Sequence, residues 1–249
     1  LYQNIPGLFG FVHVHYPYDE AHTRMYEDAK YGTAEERAKF VRDVGIDIAS
    51  AGAQYLGSEN KPLSLWGGES IEAHRKGLEN FVNWMNQVKG EGVPVKCLPY
   101  LDIHLVRLTD GETLDGLKKR FPDCIPLNIW NEPVAYRQGW LYCILPTVDN
   151  AVGKHLMDIL KLYIEELKFD SIYLDEWDFS RAKISFGHDD GYSALLDENG
   201  QIVRKFGYVP LMVRDFQVKF VNELVKRNAT PIFANQFVST FSLSQLPVV

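Results

Sequence analysis

Cysteine is scarce in this chain. Its 249 residues contain three, Cys97, Cys124 and Cys143, too few and too scattered for a disulfide framework or a zinc knuckle. No apolar run approaches the ~18 residues of a membrane span, so none is expected. Positive charge is in deficit: 26 Lys and Arg face 33 Asp and Glu, a formal net charge of −7. That balance disfavours a generic polyanion binder, nucleic acid included. Short repeats of the solenoid kind are absent. So is a glycine-rich phosphate loop after the first apolar run, which argues against a doubly wound nucleotide-binding sheet. No cofactor is implied. The chain begins at Leu1, with no initiator Met and no signal-like segment, and is expected to be part of a longer or processed protein.

What is present describes a globular domain with a large core. Apolar residues make up 46% and charged residues 24%, an ordinary globular mixture. The length is long for one average domain but suits a single α/β barrel, so residues 1–249 are read as one catalytic domain. Aromatics reach 13%, including 13 Tyr and 5 Trp, and many stand near Asp, Glu, His and Asn. Sugar sites have that composition, because rings stack on aromatic faces while hydroxyls need polar partners. Large cores use aromatics as well.

Along the chain an apolar strand, a polar segment and an amphipathic helix recur. Strands are expected at residues 8–16 (LFGFVHVHY), 46–55, 93–105 (VPVKCLPYLDIHL), 140–146 (WLYCILP), 170–177 (DSIYLDEW) and 231–237 (PIFANQF). Helices are expected from Thr33, where Thr33 and Glu36 fit a capping box, to Gly45, and over 70–89, 150–167 and 210–227. This alternation implies parallel βα units and a (β/α)8 TIM-type barrel with long βα loops. Six strands are visible rather than eight. Either weak terminal segments hide the rest or the barrel is incomplete in this chain. Two connections are irregular. Residues 107–139 hold a hairpin signal around Asn131, Glu132 and Pro133. Residues 178–209 carry a second turn at Asn199 and Gly200.

Successive strand residues point to opposite faces, so alternation assigns direction. Val95, Cys97, Leu101, Ile103 and Leu105 share the parity suited to the helix layer, as do Ile172 and Leu174. Tyr100, Asp102 and His104, and Tyr173, Asp175 and Trp177, then point into the barrel. His13 and His15 share one face of the first strand, and Phe233 and Asn235 one face of the sixth. The polar members stand toward the C-terminal ends of their strands, where barrel enzymes place their chemistry.

Asp175, Glu176 and Asp178 put three carboxylates within four residues at one strand end. Glycoside hydrolysis needs a pair of carboxyls, one of them protonated. Asp175 has the inward parity. Glu176 has the other, unless the strand has already turned into its loop there. The run FDSIYLDEWDF resembles the strand of (β/α)8-barrel glycoside hydrolases that ends in a nucleophilic Asp, as in α-galactosidase-like and endo-α-N-acetylgalactosaminidase-like enzymes. The resemblance extends loosely from about residue 150 to 237. It implies a retaining glycosidase with Asp175 as nucleophile, a carbohydrate substrate and, by habit of such enzymes, secretion or a periplasmic location. The adjacent Asp and Glu also resemble substrate-assisted β-hexosaminidases, which implies an acid role for Glu176. Tyr100, Asp102, His104, Trp177, Asp178, Asn235, His13 and His15 are expected to line the sugar site. Asp189 or Asp190, in the loop segment GHDDGY, would supply a missing acid or bind hydroxyls.

Two other motifs compete. Trp130 to Pro133 (WNEP) resembles the acid/base motif of a large clan of barrel glycosidases. The next apolar run, however, begins only seven residues beyond it, and a surface turn fits better. His13 and His15 form a His-x-His that resembles the metal-binding pair of amidohydrolases, with His104 as a further ligand. The later strand ends carry Asp175 and Asn235 where histidines would be needed, so no metal is expected. The alternatives are therefore a metal-dependent hydrolase using His13 and His15, and a non-catalytic carbohydrate-binding barrel.

Overall fold

The computed structural model describes residues 11–14, 33–51, 71–108, 111–137, 139–235 and 240–248. In chain order these form β1 (Phe11–Val14), α1 (Ala34–Val44), β2 (Ile48–Ala51), α2 (Ile71–Gly90) and β3 (Lys96–Asp102). There follow β4 (Leu105–Arg107), α3 (Leu114–Arg120), β5 (Ala135–Arg137), β6 (Leu141–Cys143), α4 (Ala151–Lys161) and β7 (Tyr173–Asp175). The last third holds β8 (Ile184–Ser185), β9 (Ala194–Leu196), β10 (Ile202–Lys205), β11 (Gly207–Tyr208), α5 (Val209–Lys226), β12 (Phe233–Ala234) and α6 (Phe241–Ser244).

The frame is a five-stranded parallel sheet in the order β1-β2-β3-β7-β12. Spatial order follows chain order, so the winding never reverses as it does in a doubly wound sheet. Among the described residues nothing pairs β1 with β12, and the sheet is open. No helix among them is long and apolar enough to cross a membrane.

The helices form where local chemistry favours them. Thr33 N donates to Glu36 Oε2 (2.7 Å) and Glu36 N to Thr33 Oγ1 (3.3 Å), so both sides of the expected capping box are present. Gly45 closes α1 at φ 76°, a left-handed conformation that a side chain would resist. Leu78, Phe81, Val82, Met85 and Val88 recur at helical spacing along α2 and are buried. Asn150 caps α4, its Oδ1 accepting Gly153 N at 2.8 Å. The helix then widens into π geometry over Leu162–Glu166, with Leu167 N bonded to Leu162 O at 2.9 Å. Tyr163 and Leu167 stay buried through that change.

Two apolar layers flank the sheet. On the outer face, Cys97, Leu101, Ile103, Ile172 and Leu174 pack in one cluster with Phe81, Met85, Leu156, Ile159, Phe216 and Phe220 of the helices. Each fully buried side chain of this size contributes about 1.5–3 kcal/mol relative to exposure. On the inner face, Leu98, Tyr100 and Tyr173 meet Leu105, Leu141 and Cys143.

That inner layer corrects one expectation. The strand–helix alternation predicts a fourth parallel strand over residues 140–146. Instead β6 runs antiparallel between β4 and β5, with Leu105 opposite Cys143 and Arg107 opposite Leu141. Strand β3 pairs directly with β7. The cause lies at the end of β3. Asp102 Oδ1 accepts the amide of His104 at 2.8 Å, a local side-chain turn that stops the strand and redirects the chain. Leu105 consequently joins the inner cluster rather than the helix layer. Both expected hairpins are present. Leu127 bridges Pro133 across the first, and β9 pairs with β10 around Gly200 at φ 76° in the second.

Candidate active site

The register of β3 on β7 sets Tyr100 opposite Tyr173 and Asp102 opposite Asp175. Two carboxyls thus stand level at the C-terminal ends of adjacent parallel strands. An aromatic row lies beneath them: the Tyr100 and Tyr173 rings meet edge to face at 5.5 Å, and Tyr173 meets Phe233 at 5.7 Å.

Asp175 is half-buried and held from two directions. The Tyr100 hydroxyl donates to its Oδ2, and the amide of Glu176 donates to its Oδ1 at 3.0 Å. The same amide reaches Asn235 Oδ1 at 3.0 Å, while Asn235 N donates to Leu174 O at 3.2 Å. Asn235, at the end of β12, is exposed and props the turn that follows β7.

That turn decides the site. Glu176 has φ 46°, a left-handed conformation uncommon for a residue with a side chain. The alternation of β7 ends there, and the Glu176 carboxyl comes to lie beside those of Asp102 and Asp175, near Ser180 and Arg181. Burial raises the Glu176 pKa and the Asp175 charge adds to the rise, against the opposing influence of the Ser180 hydroxyl, Asp102 and Arg181. Burial also pushes Asp102 well above the usual carboxylate range. The charge of Glu176 reinforces this, and the His104 amide opposes it. Tyr100 is raised by burial first and then by Asp102 and Asp175, which keeps its phenol a donor. Burial, followed by Asp175, takes Tyr173 up to about 12.

Asp175, Glu176, Tyr100, Asp102 and Asn235 are therefore brought together, as the sequence reading grouped them. Asp102, though, is only 1% exposed and stands behind the surface of the site. Four other assignments are corrected. Trp177 is 0% exposed and belongs to the outer core: the left-handed Glu176 inverts the alternation, so Trp177 turns toward the helices. His104 is 1% exposed, with Nδ1 at 3.4 Å from Ile144 O and Nε2 at 3.3 Å from Trp177 O. Burial lowers its pKa to about 4, leaving a neutral ring wedged between two backbone carbonyls, to one of which its single N–H donates. Asp178 is buried and engaged within the protein. Asp190 accepts Tyr192 N (2.8 Å), Ser193 N (2.7 Å), Ser193 Oγ (2.8 Å) and Tyr208 N (2.8 Å). Those bonds hold its pKa down although partial burial pulls upward. Asp190 thus ties the long loop to β11 and has no proton to give.

His13 lies in β1 with its backbone opposite Ser50 of β2. His15 is outside the described residues. Among those residues, no group of three His, Cys, Asp or Glu is arranged to hold a metal ion. The WNEP motif is a surface turn: Asn131 has φ 64°, Asn128 Oδ1 accepts Trp130 N and Glu132 N at 2.9 Å each, and Trp130 is 75% exposed.

Sequence reasoning missed Tyr136, Ser180 and Arg181. The Arg181 guanidinium sits 4.6 Å over the Tyr136 ring; Arg181 and Ser180 draw the Glu176 pKa down against its burial, and Tyr136, raised first by burial, is raised further by Glu176. They stand on the antiparallel insert and on an irregular segment after β7, where no periodicity marks a direction.

No family model matches the chain, and neither does any curated protein. Solved structures do match. A noncanonic maltogenic alpha-amylase from Thermotoga neapolitana aligns with TM-score 0.51 and 9% identity over 92% of this chain and 46% of that one. An alpha-amylase from Geobacillus thermoleovorans, complexed with acarbose, gives 0.51 and 11% over 92% and 46%. An Anoxybacillus alpha-amylase gives 0.52 and 12% over 91% and 47%. These neighbours are (β/α)8 glycoside hydrolases. The fold is of the barrel type. The described residues supply an open, singly wound part of such a barrel, and the chain spans just under half the length of these structures. At such identities the likeness is one of fold.

Proposed function

We propose that the chain is a glycoside hydrolase in which Asp175 and Glu176 form the working pair of carboxyls. The observation that carries this reading is the left-handed turn at Glu176. It sets a carboxyl with a raised pKa beside a second carboxyl, Asp175, that two donors orient. Retaining glycosidases divide their labour in this way, with one group kept acidic and the other presented as nucleophile. Asp175 attacks the anomeric carbon while the bond to the leaving oxygen breaks and that oxygen takes the proton of Glu176. Water then attacks the glycosyl ester and returns a proton to Glu176, and Asp175 leaves. The resemblance of FDSIYLDEWDF to α-galactosidase-like strands supports Asp175 as nucleophile, and the barrel neighbours favour a carbohydrate substrate.

The test is a turnover screen of the purified protein on aryl α- and β-glycosides and on maltooligosaccharides, alongside Asp175→Asn and Glu176→Gln. Hydrolysis by the parent that both variants lose supports the reading. Sugar binding without turnover in the parent would mark a non-catalytic carbohydrate-binding barrel. Activity abolished by chelation and restored by a divalent metal would favour the metal-dependent alternative.

A further inference from the structure

Asp102 is too deeply buried to touch a sugar, yet it is not satisfied as a structural residue. Its Oδ1 accepts the His104 amide, while its Oδ2 is buried without a donor among the described residues. Glu176 presents the same defect, since its Oε2 is also buried and without a donor there. Two neighbouring carboxyls, each with a bare buried oxygen, make a costly arrangement when both are ionised. One proton between them removes both defects.

We propose that Asp102 is a positioning residue for Glu176 and that the two share one proton through a carboxyl–carboxylate hydrogen bond. This rests on the reading of Asp175 and Glu176 as a glycosidase pair, and it gives Glu176 access to a proton for the leaving oxygen. The groups facing the pair leave the proton in place. Asp175 on β7 adds negative charge, and the Ser180 hydroxyl and the Arg181 cation oppose it. Tyr100 and Tyr173 are held neutral chiefly by burial, as is Tyr136 on β5, and burial takes Cys143 on β6 up to about 11. None of these four supplies a compensating positive charge. Once Glu176 has passed its proton to the leaving oxygen, the doubly ionised pair that remains is a strong base for the proton of the incoming water.

Infrared difference titration of the protein, which counts protonated carboxyls, tests this without relying on turnover. The parent is expected to keep one protonated carboxyl at neutral pH, and Asp102→Asn and Glu176→Gln are each expected to lose it. In kcat/KM profiles, Asp102→Asn should move the alkaline limb to lower pH by about one unit, a tenfold change in the acid's ionisation. Three results would overturn the proposal: no protonated carboxyl in the parent at neutral pH, a band that survives Asp102→Asn, or an unmoved alkaline limb. If Asp102→Asn does not fold, the parent and Glu176→Gln spectra still decide whether a proton resides on the pair. A shared proton with no glycoside turnover would sink the glycosidase reading and leave the carboxyl pair standing. Turnover with no such proton would do the reverse.

Discussion

Tyr100 and Asp175 meet across the β3–β7 pairing, the phenol of one donating to Oδ2 of the other. The contact is a direct consequence of parallel register. Tyr100 stands two residues before the end of β3, level with Tyr173, and its long side chain reaches up to the carboxylate that ends β7. Packing against Tyr173 fixes the ring.

Tyr100→Phe removes this donor and little of the packing. A hydrogen bond to a charged group contributes about 1.5–3 kcal/mol. Turnover should therefore fall by roughly tenfold to a hundredfold, with a melting temperature near that of the parent. Unchanged kcat in a well-folded Tyr100→Phe protein would show that Asp175 does not depend on the phenol.

Glu132 sits in an exposed turn, its Oε2 accepting Asn128 Nδ2 at 3.1 Å. Glu132→Gln should leave turnover within a few-fold of the parent. A loss of ~10³ or more, the size expected of a catalytic carboxyl, would mean that the WNEP turn belongs to the active site after all.

His104 links pH to stability. Its pKa falls from 6.5 to about 4 on burial, so between those values the unfolded chain binds more protons than the folded one. Stability should be fully present above pH ~6.5 and decline as pH falls toward ~4. Thermal melts of the parent across that window should show the decline. His104→Gln, which can donate to a carbonyl without titrating, should flatten it. The carboxyl pair bends the curve the other way, since folded-state pKa values raised on Asp102 and Glu176 weaken the fold as pH rises through them. The comparison is therefore between parent and variant rather than with a flat line.

Gly153 lies in the first turn of α4, and a Cβ there would come within 1.8 Å of Thr147 O. That atom is backbone and cannot step aside. Gly153→Ala should destabilise the fold by about 1–3 kcal/mol or more, although alanine is the better helix former. A denaturant midpoint equal to or above that of the parent would contradict the packing described for this helix.

Much of this architecture can be read from the sequence, and the failures have identifiable causes. Alternation sorts Cys97 and Leu101 to the helices and Tyr100 and Asp102 to the inner face, and does the same for Leu174 and Asp175. It fails where a strand stops before its apolar pattern does. Leu105 follows the Asp102–His104 turn, and Trp177 follows the left-handed Glu176, so each lands on the face opposite to its parity. The run WLYCILP is long enough to be a strand, but nothing in it distinguishes a parallel from an antiparallel partner. Asp190 looks like a spare acid until its neighbours are considered. An Asp followed by Gly191, Tyr192 and Ser193 is also the pattern of a side chain that caps its own turn. Tyr136 and Arg181 reach the site only through tertiary folding of the insert and the loop, which no local pattern encodes.

The most direct measurement of the central claim is kcat and melting temperature for Asp175→Asn on one preparation, using a glycoside that the parent hydrolyses. The substitution keeps the shape and removes the charge. Asp175→Asn is expected to melt close to the parent, still bind the sugar, and turn over at least ~10³-fold more slowly, about 4 kcal/mol of transition-state stabilisation. A stable Asp175→Asn protein with full turnover would contradict the claim, as would one that loses stability while its folded fraction keeps the parent's kcat.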